Sequence, residues 1–137
     1  MKTVKYAPKN LAKPFLAALH SKFSKLQPST QKTIEELIFS GKLHLMVAHD
    51  KDKLKGGLVV QSLKTANGAT AFIYGIFGSE IISLEYYKPL VNILKVAGFS
   101  YIQGFGTPAS LRAYRQAGLP FKEIRKTENG VFFGAPL

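Results

Sequence analysis

Apolar residues recur along this chain with two different periods, and the changes of period mark its elements. Val4 and Tyr6 alternate with Lys5, which predicts a short strand over residues 3–6. From Leu11 the spacing turns helical: Leu11, Phe15, Ala18, Leu19, Phe23 and Leu26 fall at three- and four-residue steps and predict one buried face. Asn10 is the expected cap of this helix, Pro14 is tolerated near its first turn, and Lys13, Lys22 and Lys25 fall largely on the opposite side. Pro28 interrupts the pattern. Ser29 or Thr30 is expected to cap a second helix, with Thr33, Ile34, Leu37 and Ile38 inward and Gly41 at its end.

The period then becomes two. Leu43, Leu45 and Val47 alternate with His44, Met46 and Ala48, predicting a strand over 42–49 that ends in the polar turn His49-Asp50-Lys51-Asp52. Residues 56–63 and 69–77 are the next two strands, joined by the hairpin signal Ala66-Asn67-Gly68. Residues 81–96 return to helical spacing, with Leu84, Tyr87, Val91, Leu94 and Val96 as the inward stripe. Pro89 lacks an N–H for the helix ladder, so a kink or a split is expected there. Phe99, Tyr101, Gln103 and Phe105 follow on a strand. Thr107-Pro108 opens a short helix carrying Leu111, Tyr114 and Ala117 inward, and Gly118 closes it. Two last strands, 120–126 and 130–134, meet at Glu128-Asn129-Gly130. Short turns imply antiparallel neighbours and helices separate the rest, so the predicted fold is α/β, a mixed, mostly antiparallel central sheet flanked by helices. At 137 residues, the chain is expected to be a single domain, 1–137.

Composition narrows the chemistry. Cysteine is absent, which removes disulfides, thiolate zinc sites and cysteine nucleophiles, and no His/Asp/Glu group has metal spacing; no metal is expected. Residues 1–10 lack the apolar run of a signal peptide and no stretch is long enough to span a bilayer, so a soluble, non-secreted protein is expected. The 19 Lys and Arg against 8 Asp and Glu give +11, which favours anionic partners. Lys9, Lys13, Lys22 and Lys25, in the acid-free N-terminal third, are the candidate nucleic-acid or anion contacts; a solvated surface is the alternative. Tyr74, Phe77, Tyr86, Tyr87 and Tyr101 are either core or part of a binding surface. His49, beside Asp50 at a strand end, is a candidate general base or a turn residue.

The order of elements resembles the GNAT (N-acetyltransferase-like) fold. GKLHLMVAHD, KGGLVVQSL and ATAFIYGIFG are similar to that family's central meander, KPLVNILKVAGFSYIQGF to its core helix and following strand, and SLRAYRQAGLPFKEI with NGVFFGAPL to its closing elements. In appearance the chain is most similar to short GNAT-like proteins encoded by tailed phages, which tend to carry a glycine at the position of Gly78. The resemblance implies acetyl-CoA as cofactor, Tyr114 as the acid that protonates its departing thiolate, and Gly78 and Ser79 as the cofactor-binding turn.

The chain also departs from that family. The usual [Gln/Arg]-x-x-Gly-x-[Gly/Ala] phosphate loop is replaced by Ile76-Phe77-Gly78-Ser79-Glu80-Ile81-Ile82-Ser83, with one glycine, no basic residue before Lys88, and Glu80 and Glu85 positioned to repel a pyrophosphate. The family's frequent Asn seven positions before the tyrosine is Thr107. On these departures no cofactor is expected, and the main expectation is a non-catalytic structural or binding module of a virion, found in the host cytoplasm or the particle, with other virion proteins or DNA as partners. The alternatives are an active acetyl-CoA-dependent N-acetyltransferase and a basic nucleic-acid-binding protein.

Overall fold

In a computed structural model, residues 1–23 and 28–137 are described, and they form a seven-stranded sheet with four helices. The order along the chain is β1 (Lys2–Tyr6), α1 (Lys9–Phe23), α2 (Pro28–Phe39), β2 (His44–Asp50), β3 (Lys53–Thr65), β4 (Gly68–Phe77), a 3-10 turn (Ser79–Ile81), α3 (Leu84–Val96), β5 (Tyr101–Gly106), α4 (Pro108–Gln116), β6 (Lys122–Thr127) and β7 (Gly130–Pro136). Across the sheet the order is β1-β2-β3-β4-β5-β7-β6. Every neighbouring pair is antiparallel except β4 and β5. This is the mixed, mostly antiparallel sheet that the periodicity predicts.

Two hairpins follow from one local rule. Thr65-Ala66-Asn67-Gly68 and Thr127-Glu128-Asn129-Gly130 each close a two-residue loop, and in each the Thr Oγ1 accepts the Asn N–H, at 3.1 and 3.2 Å. The β2–β3 hairpin instead places Lys51 at φ 56°, the one non-glycine with positive φ among the described residues. The strands around it run longer than the polar turn predicts: β2 reaches Asp50 and β3 starts at Lys53.

Helices cover both faces of the first strands, so β2 carries no exposed side between Leu45 and Ala48. Leu45 and Val47 pack with Ala12, Leu16 and Leu19 of α1 and Ile34 and Ile38 of α2. Met46 and Ala48 face the other way, toward Tyr86, Leu90 and Leu94 of α3. Two helix faces differ from prediction. In α1 the buried residues are Ala12, Leu16 and Leu19, whereas Leu11 is 46% exposed and Phe15 half-buried. The helix starts at Lys9, which puts Asn10 inside its first turn. In α3 the buried stripe is Tyr86, Tyr87, Leu90 and Leu94, with Leu84 and Val96 exposed. The helix runs through Pro89 unsplit; the break falls upstream, where the 3-10 turn ends before Ser83. In α2, Thr33 is exposed and its hydroxyl donates to the Ser29 carbonyl. Lys25 and Leu26 lie outside the described residues, as does the side chain of Phe23.

One irregularity opens the sheet. β3 steps from Val59 to Val60 while its partner on β4 steps from Gly75 to Ile73, so Tyr74 is an extra, bulged residue. A bulge bends its strand and increases the local twist. β4 pairs with β5 only over residues 70–72 against 101–103, whereas β5 stays paired with β7 as far as Gly106. Beyond Phe72, β4 and β5 are therefore separate, and a wedge lies between them.

Candidate active site

The wedge leads into a narrow cavity of about 50 Å³ beneath α3 and α4, walled by Ile73 and Ile76 of β4, Ile81, Tyr86 and Tyr87, and Tyr114 of α4. Tyr114 is held by aromatic contacts, 6.0 Å from the Phe121 ring centroid and 5.4 Å from that of Phe133. Its helix is fixed at the start by a reciprocal cap: the Ser110 N–H donates to Thr107 Oγ1 and the Thr107 N–H to Ser110 Oγ, both at 3.0 Å. Thr107 thus has a structural role. The Tyr114 hydroxyl makes no hydrogen bond among the described residues. Burial pushes its pKa above the ordinary phenol value, so it stays protonated at neutral pH.

Further unpaired hydroxyls lie around the start of α3. Ser83 Oγ, Tyr86 Oη and Tyr87 Oη are buried with no partner. Burial raises both phenols, and that of Tyr87 is pushed up to about 12. An unpaired buried hydroxyl is destabilising, which makes such groups candidates for a ligand or water contact. Ser83 precedes α3 but makes no side-chain cap. The helix ladder begins with the Tyr87 N–H donating to the Ser83 carbonyl at 3.0 Å. The N–H groups of Leu84, Glu85 and Tyr86 come before it, the usual free donors of a helix start, and their dipole favours an anion.

Gly78 links β4 to the 3-10 turn that Ser79 begins. Gly78 takes φ 87°, a left-handed conformation that favours glycine. It lets the chain reverse so that Phe77 turns away from the wedge, into the α1–α2 core against His20 at 5.1 Å, while Ile81 and Ile82 line the cavity. The two acids expected to repel a pyrophosphate are each paired with a lysine. Glu85 Oε2 is 2.9 Å from Lys2 Nζ, and Glu80 Oε2 is 3.5 Å from Lys55 Nζ. Lys2 also lies 3.9 Å from Asp50, and its pKa is raised, chiefly by its hydrogen bond to Glu85. Lys2 comes from β1 and Lys55 from β3, so no spacing in the loop itself points to them.

The remaining candidates lie elsewhere. Lys9 begins α1 beside Gly41, Lys13 is 3.7 Å from Glu35 of α2, and Lys22 borders a groove with Leu11, Phe15 and His49. Lys9 and Lys13 thus stand one turn apart on α1, while Lys22 borders a different groove. His49 packs edge-on to Phe15 of α1, on the face of the sheet opposite Tyr114. Burial and the charge of Lys5 lower its pKa, against a smaller opposite pull from Asp52. It does not serve the cavity as a base. Tyr86 and Tyr87 belong to the core, and Tyr74 is the bulge. Among the described residues no group of His, Asp and Glu side chains is arranged for a metal ion, and no helix is long and apolar enough to cross a membrane.

No protein-family model matches the chain, and no curated protein matches it in sequence. Solved structures do match in shape. An IAA acetyltransferase from Bacillus cereus ATCC 14579 superposes with a TM-score of 0.65 at 15% identity, covering 100% of both chains. The ribosomal-protein-S18-alanine N-acetyltransferase from Escherichia coli gives 0.65 at 14%, covering 99% of this chain and 94% of that one. The aminoglycoside acetyltransferase AAC(6')-Ib, solved in complex with coenzyme A, gives 0.66 at 12%, covering 99% and 95%. The fold is that of the GNAT N-acetyltransferases.

Proposed function

We propose that the protein is an acetyl-CoA-dependent N-acyltransferase. The observation that carries this reading is the wedge between β4 and β5, opened by the Tyr74 bulge and leading to a cavity lined by Tyr114. The residues present fit the cofactor at three points. The wedge exposes unpaired β4 backbone to hydrogen-bond an extended ligand arm. The free N–H groups at the start of α3 suit a phosphate group. Glu80 and Glu85 are compensated by Lys55 and Lys2. The solved neighbours are acetyltransferases, one of them holding coenzyme A. The virion role expected from the phage-type resemblance gains no support from fold or neighbours.

When bound, acetyl-CoA supplies an activated acyl group and a sulfur leaving group that needs a proton. Tyr114 keeps a proton on Oη through the neutral range because burial opposes its ionisation, and Phe121 and Phe133 fix the ring that presents it. Ile73, Ile76 and Ile81 keep the cavity apolar and exclude water. No acid or histidine lines this cavity. The acceptor amine is therefore expected to arrive neutral or to lose its proton to solvent.

The test is thermal. Acetyl-CoA at tenfold its Kd should stabilise the protein by about 1.4 kcal/mol and raise Tm by about 4 °C. Tyr114→Phe should keep that shift and lower kcat about 100-fold, with KM for acetyl-CoA within about twofold. No shift at millimolar acetyl-CoA would remove the reading and leave a GNAT scaffold put to another use.

A further inference from the structure

We propose that the uncovered face of β5, β7 and β6 binds single-stranded nucleic acid. The α1–α2 core contains no residue of these three strands, so helices cover them on the α3–α4 side alone. Register puts Tyr101 and Phe105 of β5, Phe132 of β7, and Lys122 and Arg125 of β6 on the bare side. Phe105 and Phe132 lie with ring centroids 4.7 Å apart, and the Arg125 guanidinium is 4.9 Å from the centre of the Phe132 ring. Tyr101 lies across β7 over Gly134, where a Cβ would stand 2.6 Å from its ring. Phe105 keeps 41% of its surface exposed and Ile124 45%.

Part of this arrangement is structural, since rings laid over glycines shield a strand. That role does not account for the charge. Neither Lys122 nor Arg125 has an ion pair among the described residues, while Asp50 meets the N-terminal amine and Lys2, Glu85 meets Lys2, Glu80 meets Lys55 and Glu35 meets Lys13. Glu123 sits on the other face of β6, opposite Phe133. A second copy of the chain would bring +11 against +11 and the same Lys and Arg against themselves. A polyanion with planar bases satisfies both parts of the surface. Bases stack on Tyr101 and Phe105, and phosphates meet Lys122 and Arg125. Tyr101 and Phe105 are four residues apart on a strand, roughly 13 Å, enough for two or three nucleotides. A duplex keeps its bases stacked inside and has no ring face to offer.

Fluorescence anisotropy with labelled dT12, U12 and a 12-base-pair duplex tests this. The single strands should bind at 25 mM salt at least tenfold more tightly than the duplex, and log Kd should rise with log salt with a slope of about 1.4. Phe105→Leu keeps apolar volume without a ring and should weaken binding at least fivefold with Tm unchanged. The double change Lys122→Gln and Arg125→Gln should weaken it at least tenfold and flatten the salt dependence. Lys9→Gln with Lys13→Gln, on another surface, should stay within twofold. Absence of binding at 25 mM salt, equal affinity for duplex, indifference to Phe105→Leu, or a dimer that Arg125→Gln dissociates would each overturn the proposal. None of these readouts involves acetyl-CoA, so the two readings fail or stand separately.

Discussion

The two halves of the sheet are built to different specifications. Strands β2 and β3 carry helices on both faces, and β3 pairs with β4 over nine positions, from Gly57 opposite Phe77 to Thr65 opposite Gly68. Strands β5, β7 and β6 are covered on one face, and β5 meets β4 at three positions. The first half resembles a filled interior and the second a platform. Their seam is the wedge, so the place where backbone pairing fails is also where free hydroxyls and free N–H groups gather. The proposed site thus sits where the fold leaves its own hydrogen bonds unmade.

The largest test of this contrast is cavity creation on either side of the sheet. Leu19 of α1 and Leu94 of α3 are both fully buried, one in each core. Leu19→Ala and Leu94→Ala should each lower stability by about 2–5 kcal/mol in urea denaturation, in a single transition. Two transitions for Leu19→Ala would mean that the platform half folds by itself.

The next effect is one of pH. The folded-state pKa of Tyr87 is raised to about 12 by burial, against about 10 in the unfolded chain. The folded state holds that proton more tightly, so its contribution is complete below pH 10 and is lost as pH rises from 10 to 12. The loss should be about 2–3 kcal/mol, visible as a falling Tm over that window. Tyr87→Phe should flatten the fall, and an unchanged slope would show that the ring is not desolvated.

The smallest effect concerns the helix that carries Tyr114. Thr107→Ala removes one side of the reciprocal cap and should lower stability by about 1 kcal/mol. Acetyl-CoA turnover should fall with it if the cap holds Tyr114 in register, and stay level if the contacts with Phe121 and Phe133 suffice.

Much of the fold was legible in the chain. The paired Thr-x-Asn-Gly hairpins, the Thr107-Pro108 helix start and the alternation in β2 are local, and each appears where the pattern puts it. Helix faces were harder. In α1, Leu11, Ala12, Phe15, Leu16, Ala18 and Leu19 are all apolar, so two adjacent phases fit the period equally well, and contact with the sheet selects Ala12, Leu16 and Leu19. In α3 the same ambiguity lies between Leu84 and Tyr86, and the later start of the helix resolves it. The site divides in the same way. Tyr114 and Gly78 are visible as residues in a familiar order of elements. The lysines opposite Glu80 and Glu85 are not, because they come from strands distant in sequence.

By itself, then, the sequence determined the elements, their turns and the class of sheet, since those depend on hydrogen bonds and side-chain periods within a few residues. Tertiary structure decided which face of each helix is buried, which charges are paired, and that β4 leaves β5 after Phe72. Those outcomes depend on elements brought together from separate parts of the chain. One bulged residue, Tyr74, changes the sheet around it without any signal in the alternation that precedes it.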